Sequence, residues 1–254
     1  DHGQGADMGA LGTAHETLRP AGITPDRIKL DMNDTSKSPD SGPSGGSRQQ
    51  VVTGRAIQAA CEQMVDAMKK PDGTFRTHDE MVKEDIPVSY EGKWSAPAVN
   101  CDENAQGSPF SVYMYGMFMA EVAVELATGN TTVEKMTLVA DIGKINNKLV
   151  VDGQLYGGIA QGVGLALTED FEDIKRHSTL KGAGFPYVNQ IPDDMELIYV
   201  ESPRPEGPFG AGGVGELPLT SPHAAVINGI YNACGVRITK LPALPEKVLA
   251  GLKS

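Results

Sequence analysis

Glu216 lies in the stretch GPFGAGGVGELPL, Gly207 to Leu219, where five glycines surround one carboxylate. Gly215 precedes it and the apolar pair Leu217-Pro218 comes after. Burial in such a setting would raise the pKa of the acid and suit it to proton abstraction. Two readings of the stretch stand side by side. In one, thin backbone lets a large rigid group approach with Glu216 aimed at it; in the other, this is a flexible surface loop. Two more Gly/Ser bends, Gly3–Ala6 and Ser44–Gln49, each open a helical pattern. Such a bend gathers main-chain N–H groups at the positive end of a helix dipole and holds phosphate without any basic side chain. Two bends suit a pyrophosphate or a dinucleotide, while each alone is also compatible with a plain connection. Neither matches G-x-G-x-x-G or G-x-x-x-x-G-K-[ST], so an ordinary Rossmann or P-loop site is excluded. Gln4, Gln49, Gln50 and Gln154 carry amides that donate and accept, as the mixed edge of a pterin or a base requires. Their other reading is solvated loop amides. Arg48 is either a phosphate partner or a surface cation.

The elements that must position these groups can be read from periodicity. Leu11, His15 and Leu18 share a helical face that Arg19-Pro20 stops. Ile57, Ala60, Cys61, Met64, Val65 and Met68 repeat at three- and four-residue spacing until KPDG closes the helix. DGQLYGGIAQGVGLAL reads as a third helix whose Gly157, Gly158, Gly162 and Gly164 permit close packing. Ser221-Pro222 is a good cap and first-turn pair for a fourth, which ends at Cys234-Gly235. Alternation around Val122 to Leu126, the turn ATGN and the return KMTLVAD predict a hairpin over 118–141. MELIYVE and VRITKLP read as two further strands. Residues 71–105, with the lone Trp94, read as an irregular insertion, and Asp141 and Asp152 as turn or cap residues. The mixture is α+β.

With 33 acids against 22 bases, the net charge of −11 leaves no basic stripe for a nucleic-acid backbone. No apolar run approaches the roughly 18–20 residues of a membrane span. Cys61, Cys101 and Cys234 form no C-x-x-C pair, so they are expected as free, mostly buried thiols, and the five histidines show no ligand spacing. No protein-ligated metal is expected. Free thiols point to the cytoplasm. The chain opens on DHGQGADMG without a start Met, which predicts a piece of something longer.

Taken together, HGQGAD, SGPSGGSRQQ, DGQLYGGIAQGVG and GVGELPLTSPHAA, in that order, resemble the C-terminal part of the molybdenum-hydroxylase (xanthine oxidase) family. The likeness is to its bacterial, flavin-free aldehyde oxidoreductase branch and runs through the whole of 1–254. It implies the C-terminal portion of a molybdenum-cofactor domain, bound to molybdopterin cytosine dinucleotide. Gln4 and Gly5 would contact the cofactor, with His2, Gly3 and Ala6 lining the same stretch. Ser44, Gly45, Gly46, Ser47, Arg48 and Gln49 would wrap its phosphate and nucleoside end. Gln154 would lie near the pterin, with Gln161 as a neighbour, and Glu216, after Gly215, would be the active-site base. The cofactor's dithiolene sulfurs would hold the molybdenum.

The resemblance further implies oxidative hydroxylation of an aldehyde to a carboxylic acid, with water as the oxygen source. The 2Fe–2S clusters that take up the electrons would sit in the missing part of the polypeptide or in companion subunits, with no FAD. An electron-acceptor protein, a small aldehyde and a homodimer of the full enzyme complete the expected partners; nucleic acid and membrane are not among them. Two alternatives remain: a sister hydroxylase of purines, N-heterocycles or carbon monoxide, and a nucleotide-binding module without chemistry.

Overall fold

The computed structural model describes residues 1–31 and 34–253, and the chain divides into two units. The first comprises Asp1–Met114, Ile142–Val150 and Glu201–Gly213. Helix α1, Ala6–Leu18, starts at Gly5, whose φ of 90° is a conformation that L side chains rarely adopt. It ends where Arg19-Pro20 turns into a short 3₁₀ segment. Helix α2 spans Gln49–Met68. The two helices approach closely because α1 presents glycines: a Cβ on Gly9 would stand 2.4 Å from Gln50 Oε1, and one on Gly12 2.1 Å from Asn146 Oδ1. Asn146 Nδ2 donates to the Gly9 carbonyl at 2.8 Å and to Gln50 Oε1 at 3.3 Å, so a polar tie joins both helices.

The region 71–105 is not wholly irregular. It contains a short helix α3, His78–Lys83, held by a capping box between Thr77 and Glu80. A salt link from Lys70 Nζ at 2.7 Å, and then the Thr77 amide, push the Glu80 carboxyl down to about 2. Gly92 crosses α2 where a Cβ would stand 1.9 Å from the Ala56 carbonyl oxygen, so this connection is fitted to the helix.

The second unit comprises Tyr115–Asp141, Val151–Val200 and Val214–Ser254. Strands β1, Tyr115–Val124, and β2, Thr131–Asp141, form the expected hairpin, begun at Tyr115 rather than Phe118. β3, Asp194–Tyr199, joins β2 in parallel with Leu197 opposite Leu138, giving the order β1-β2-β3. Met136, Leu138 and Ala140 point from β2 into the core. Helix α4, Lys148–Leu167, buries Leu155, Ile159 and Val163, four residues apart along one face.

Helix α5, Pro222–Cys234, lies on β1, where Gly229 meets Val122, and it ends at Gly235 with φ 77°. Pro222 takes the first helical position as expected, but the Ser221 hydroxyl makes no capping bond. VRITKLP is not a strand. Val236 and Ile238 are buried and Arg237 and Thr239 exposed, yet no ladder partner exists among the described residues. The alternation there reports an extended half-buried segment, since period two arises from side-chain direction alone. The short helix α6, Pro245–Gly251, comes last.

The thiols depart from expectation: Cys101 is exposed, and Cys61 and Cys234 only half-buried, all three free. No helix among the described residues is long and apolar enough to cross a membrane.

Candidate functional site

In the first unit, the Ser44–Gln49 bend feeds the N-terminus of α2. Gly46 and Ser47 both have positive φ, 65° and 55°. This turns the chain sharply enough to deliver Arg48 as the residue before the helix. The amides of Arg48, Gln49 and Gln50 have no acceptor among the described residues, as the first turn of a helix requires. A Cβ on Gly45 or Gly46 would meet nothing within 4 Å. These glycines are therefore not filling space for the protein's own packing. Gly213 is the opposite case, since a Cβ there would stand 1.9 Å from the Ser47 carbonyl oxygen. The fourth motif thus touches the second through a residue that must be glycine. Together they line a cleft of about 250 Å³ with Arg48, Val51 and the segment 109–114.

Arg48 braces the bend with one end of its guanidinium. Its Nη1 donates to the carbonyls of Ser41 at 2.6 Å and Pro43 at 3.1 Å, so it staples the bend from within. Gln49 accepts a short bond from the Thr53 hydroxyl through its Oε1. Gln50 is engaged in the tie between α1 and α2 and is a structural amide.

The Gly3–Ala6 bend is also a cluster of main-chain donors, but its anion is internal. The Asp1 carboxylate accepts from the amides of Gly3 at 2.6 Å, Gly5 at 3.3 Å and Asp7 at 2.9 Å. Gln4 Oε1 accepts from the His2 amide at 2.6 Å. An added anion at the Gly3–Ala6 bend would therefore compete with the Asp1 carboxylate. Asp1 had no signal in periodicity or spacing. Ala6 is the first helical residue, and Gly3 has open space where a Cβ would be.

In the second unit, Glu216 precedes a one-turn 3₁₀ segment, Leu217–Leu219, and its carbonyl accepts from the Leu219 amide at 3.1 Å. The chain beyond Glu216 is anchored firmly. Leu217 is buried against Gly116 of β1. Pro218 sits on Gly158 of α4, where a Cβ would come within 2.5 Å, and Pro222 on Gly162, within 2.0 Å. Gly158 and Gly162 are one turn apart on a single face, and Gln154 is one turn before them. Residues 218 to 222 thus run along α4 in its own direction, and Glu216 lies two residues before Pro218.

Of the four glycines expected to allow close packing, Gly158, Gly162 and Gly164 do so. Gly157 has nothing within 4 Å. Gln154 is half-buried and its amide has no hydrogen-bond partner among the described residues. Gln161, two turns after Gln154 on the same helix, is exposed. Glu216 and Gly215 are exposed, so the burial expected to tune this acid is not present within this chain. Asp152 is neither turn nor cap; it accepts a short bond from the Tyr199 hydroxyl and pins α4 to β3. Burial, then that bond, raises the Tyr199 phenol well above its usual range and keeps it protonated as donor. Asp141 ends β2, opposite Tyr115.

No group of three or more His, Cys, Asp or Glu able to hold a metal ion occurs among the described residues. The candidate groups are main-chain amides at the Ser44–Gln49 bend in the first unit, and the Gln154 amide and the Glu216 carboxylate in the second. Such groups fit an organic cofactor that brings its own metal ligands.

A family model described as a molybdopterin cofactor-binding domain matches residues 1–192. The chain belongs to this family. Among curated relatives of this domain, an aldehyde oxidoreductase from Megalodesulfovibrio gigas is 61% identical over the whole chain, which spans 28% of that protein. The crystal structure of the aldehyde oxidoreductase from Desulfovibrio desulfuricans ATCC 27774 is 68% identical with a TM-score of 0.96. It covers 99% of this chain, which in turn covers 28% of that structure. CO dehydrogenase from Oligotropha carboxidovorans shares the fold alone. Its TM-score is 0.78 at 18% identity, over 100% of this chain and 34% of the other. The family's molybdopterin-binding domain thus has this same α+β architecture.

Proposed function

We propose that this domain is the C-terminal catalytic portion of a molybdenum-dependent aldehyde oxidoreductase that converts aldehydes to carboxylic acids with water as oxygen donor. The observation that carries the reading is the 61–68% identity to two aldehyde oxidoreductases along essentially the full chain. The matched region spans the segment anchoring Glu216. The cofactor proposed is molybdopterin cytosine dinucleotide. The amides at the Ser44–Gln49 bend, Gly45 and Gly46 among them, hold its phosphates. Gln154 presents its amide to the pterin edge, and His2, Gly3, Gln4, Gly5 and Ala6 line the cofactor without supplying a phosphate site.

Bound there, the cofactor supplies the Lewis acid that activates water and the acceptor for two electrons. Glu216 takes onto a carboxylate oxygen the proton that water loses as it becomes a nucleophile, and later releases it to solvent. Its orientation comes from the Leu217–Pro222 run on α4, and Gly215, which precedes it, lies against the cofactor. 2Fe–2S clusters in the remainder of the polypeptide or in companion subunits, with no FAD, would supply the route for the electrons to an acceptor protein. A homodimer of the complete enzyme in the cytoplasm completes the proposal, consistent with three free thiols.

Steady-state assays of the complete, fully metallated enzyme with aldehydes, purines and carbon monoxide test this. Turnover of an aldehyde alone is expected. Turnover of a purine or carbon monoxide without any aldehyde activity would overturn it in favour of a sister hydroxylase.

A further inference from the structure

The Ser44–Arg48 bend supplies only one side of its cleft. Facing it is the segment Pro109–Met114, which no periodicity or motif singled out and which leads into β1. Phe110, Ser111, Val112 and Met114 line the cleft with Val51. Phe110 is 62% exposed, and its ring meets Tyr113 edge-on, centroids 6.0 Å apart at 84°. An aromatic ring left this open beside a built cleft is surface waiting to be covered. The cleft has two chemically different walls: main-chain amides at the helix start, and apolar side chains opposite. Its volume of about 250 Å³ is just below the roughly 300–1,000 Å³ of sites that enclose a whole drug-sized ligand. It holds one end of a dinucleotide, not all of it.

We infer that Pro109–Met114 is a second wall of the nucleotide subsite, taking the base and ribose of the cofactor's nucleoside end while the bend holds the adjoining phosphate. A base has two apolar faces and a polar edge, so the Phe110 and Val112 side chains meet a face, and Ser111 is the polar side chain that this wall adds to the cleft lining. The pterin is a poorer occupant, because its edge needs several donor–acceptor groups and this wall offers one. The inference rests on the dinucleotide reading above.

The test uses the complete holoenzyme and counts cytidine monophosphate released by acid hydrolysis per polypeptide, before and after prolonged gel filtration in mild urea. Phe110→Ala is expected to lose nucleotide roughly tenfold faster than the parent, in line with the worth of one base–aromatic stack. Val112→Trp, which fills the cleft, is expected to purify with less than about a tenth of the parental nucleotide, since the ring takes the place of the base. Val188→Ala, at a site 88% exposed in the second unit, is expected to match the parent. Removing an already exposed ring leaves the core intact, so Phe110→Ala decides the matter even where the tryptophan variant fails to fold. Parental retention in Phe110→Ala, with nucleotide present in the parent, overturns this inference alone. A parent that releases no cytidine nucleotide overturns the dinucleotide reading as well.

Discussion

Glu216 and Gly213 show how differently neighbouring residues of one glycine-rich stretch are constrained. Gly213 touches the Ser47 carbonyl so closely that any side chain would displace one of the two loops, whereas Glu216, three residues on, is exposed. Glycine density is visible in the sequence, but not which glycine faces backbone and which faces open room. That distinction depends on residues far apart along the chain, as in the pair Ser47 and Gly213. The same limit hid the role of Gln50, read as a ligand amide or a solvated one and found joining α1 to α2, and of Asp1, whose carboxylate lies among the amides of the first bend. Gly213→Ala is therefore expected to cost about 1–3 kcal/mol through overpacking, read as a lower melting temperature of the complete enzyme. The bend at Gly46 and Ser47 should then also lose amide-exchange protection. An alanine variant with parental melting temperature and exchange would show that the contact is not tight.

At the scale of elements, α4 does the positioning. Its apolar periodicity was readable because one face carries Leu155, Ile159 and Val163. The second face, Gln154-Gly158-Gly162, was readable only as small residues at helical spacing. Which segment filled that groove was not, since Pro218 and Pro222 lie far along the chain and carry no periodic signal. VRITKLP was misread for a related reason: side-chain alternation marks one buried face, while a strand also needs a hydrogen-bonding neighbour. Two substitutions on α4 separate packing from propensity. Gly158→Ala places a Cβ 2.5 Å from Pro218 and should lower turnover at least several-fold by shifting the run that carries Glu216. Gly157→Ala has nothing within 4 Å and should stabilise by about 0.5–1 kcal/mol, with activity unchanged. Kinetics and thermal melts of the two variants check this, and equal behaviour of the pair would remove α4 as the scaffold of the base.

For the molecule as a whole, the chain spans 28% of the curated aldehyde oxidoreductase it matches. The proposed division of labour accounts for the lack of metal-ligand clusters among the described residues: amides grip a phosphate end, an amide side chain reads a heterocycle, and a single carboxylate moves a proton. That division was legible as four ordered motifs, because each is a local run of residues. The apolar wall at 109–114 was not, because only folding brings it opposite the bend. The central claim is that Glu216 is the proton acceptor of this site. Its most direct test is Glu216→Gln in the complete enzyme, which keeps shape and hydrogen bonding but removes the basic oxygen. Full molybdenum content with turnover reduced by about 10²-fold or more is the predicted result; full molybdenum content with turnover within about tenfold of the parent would contradict it.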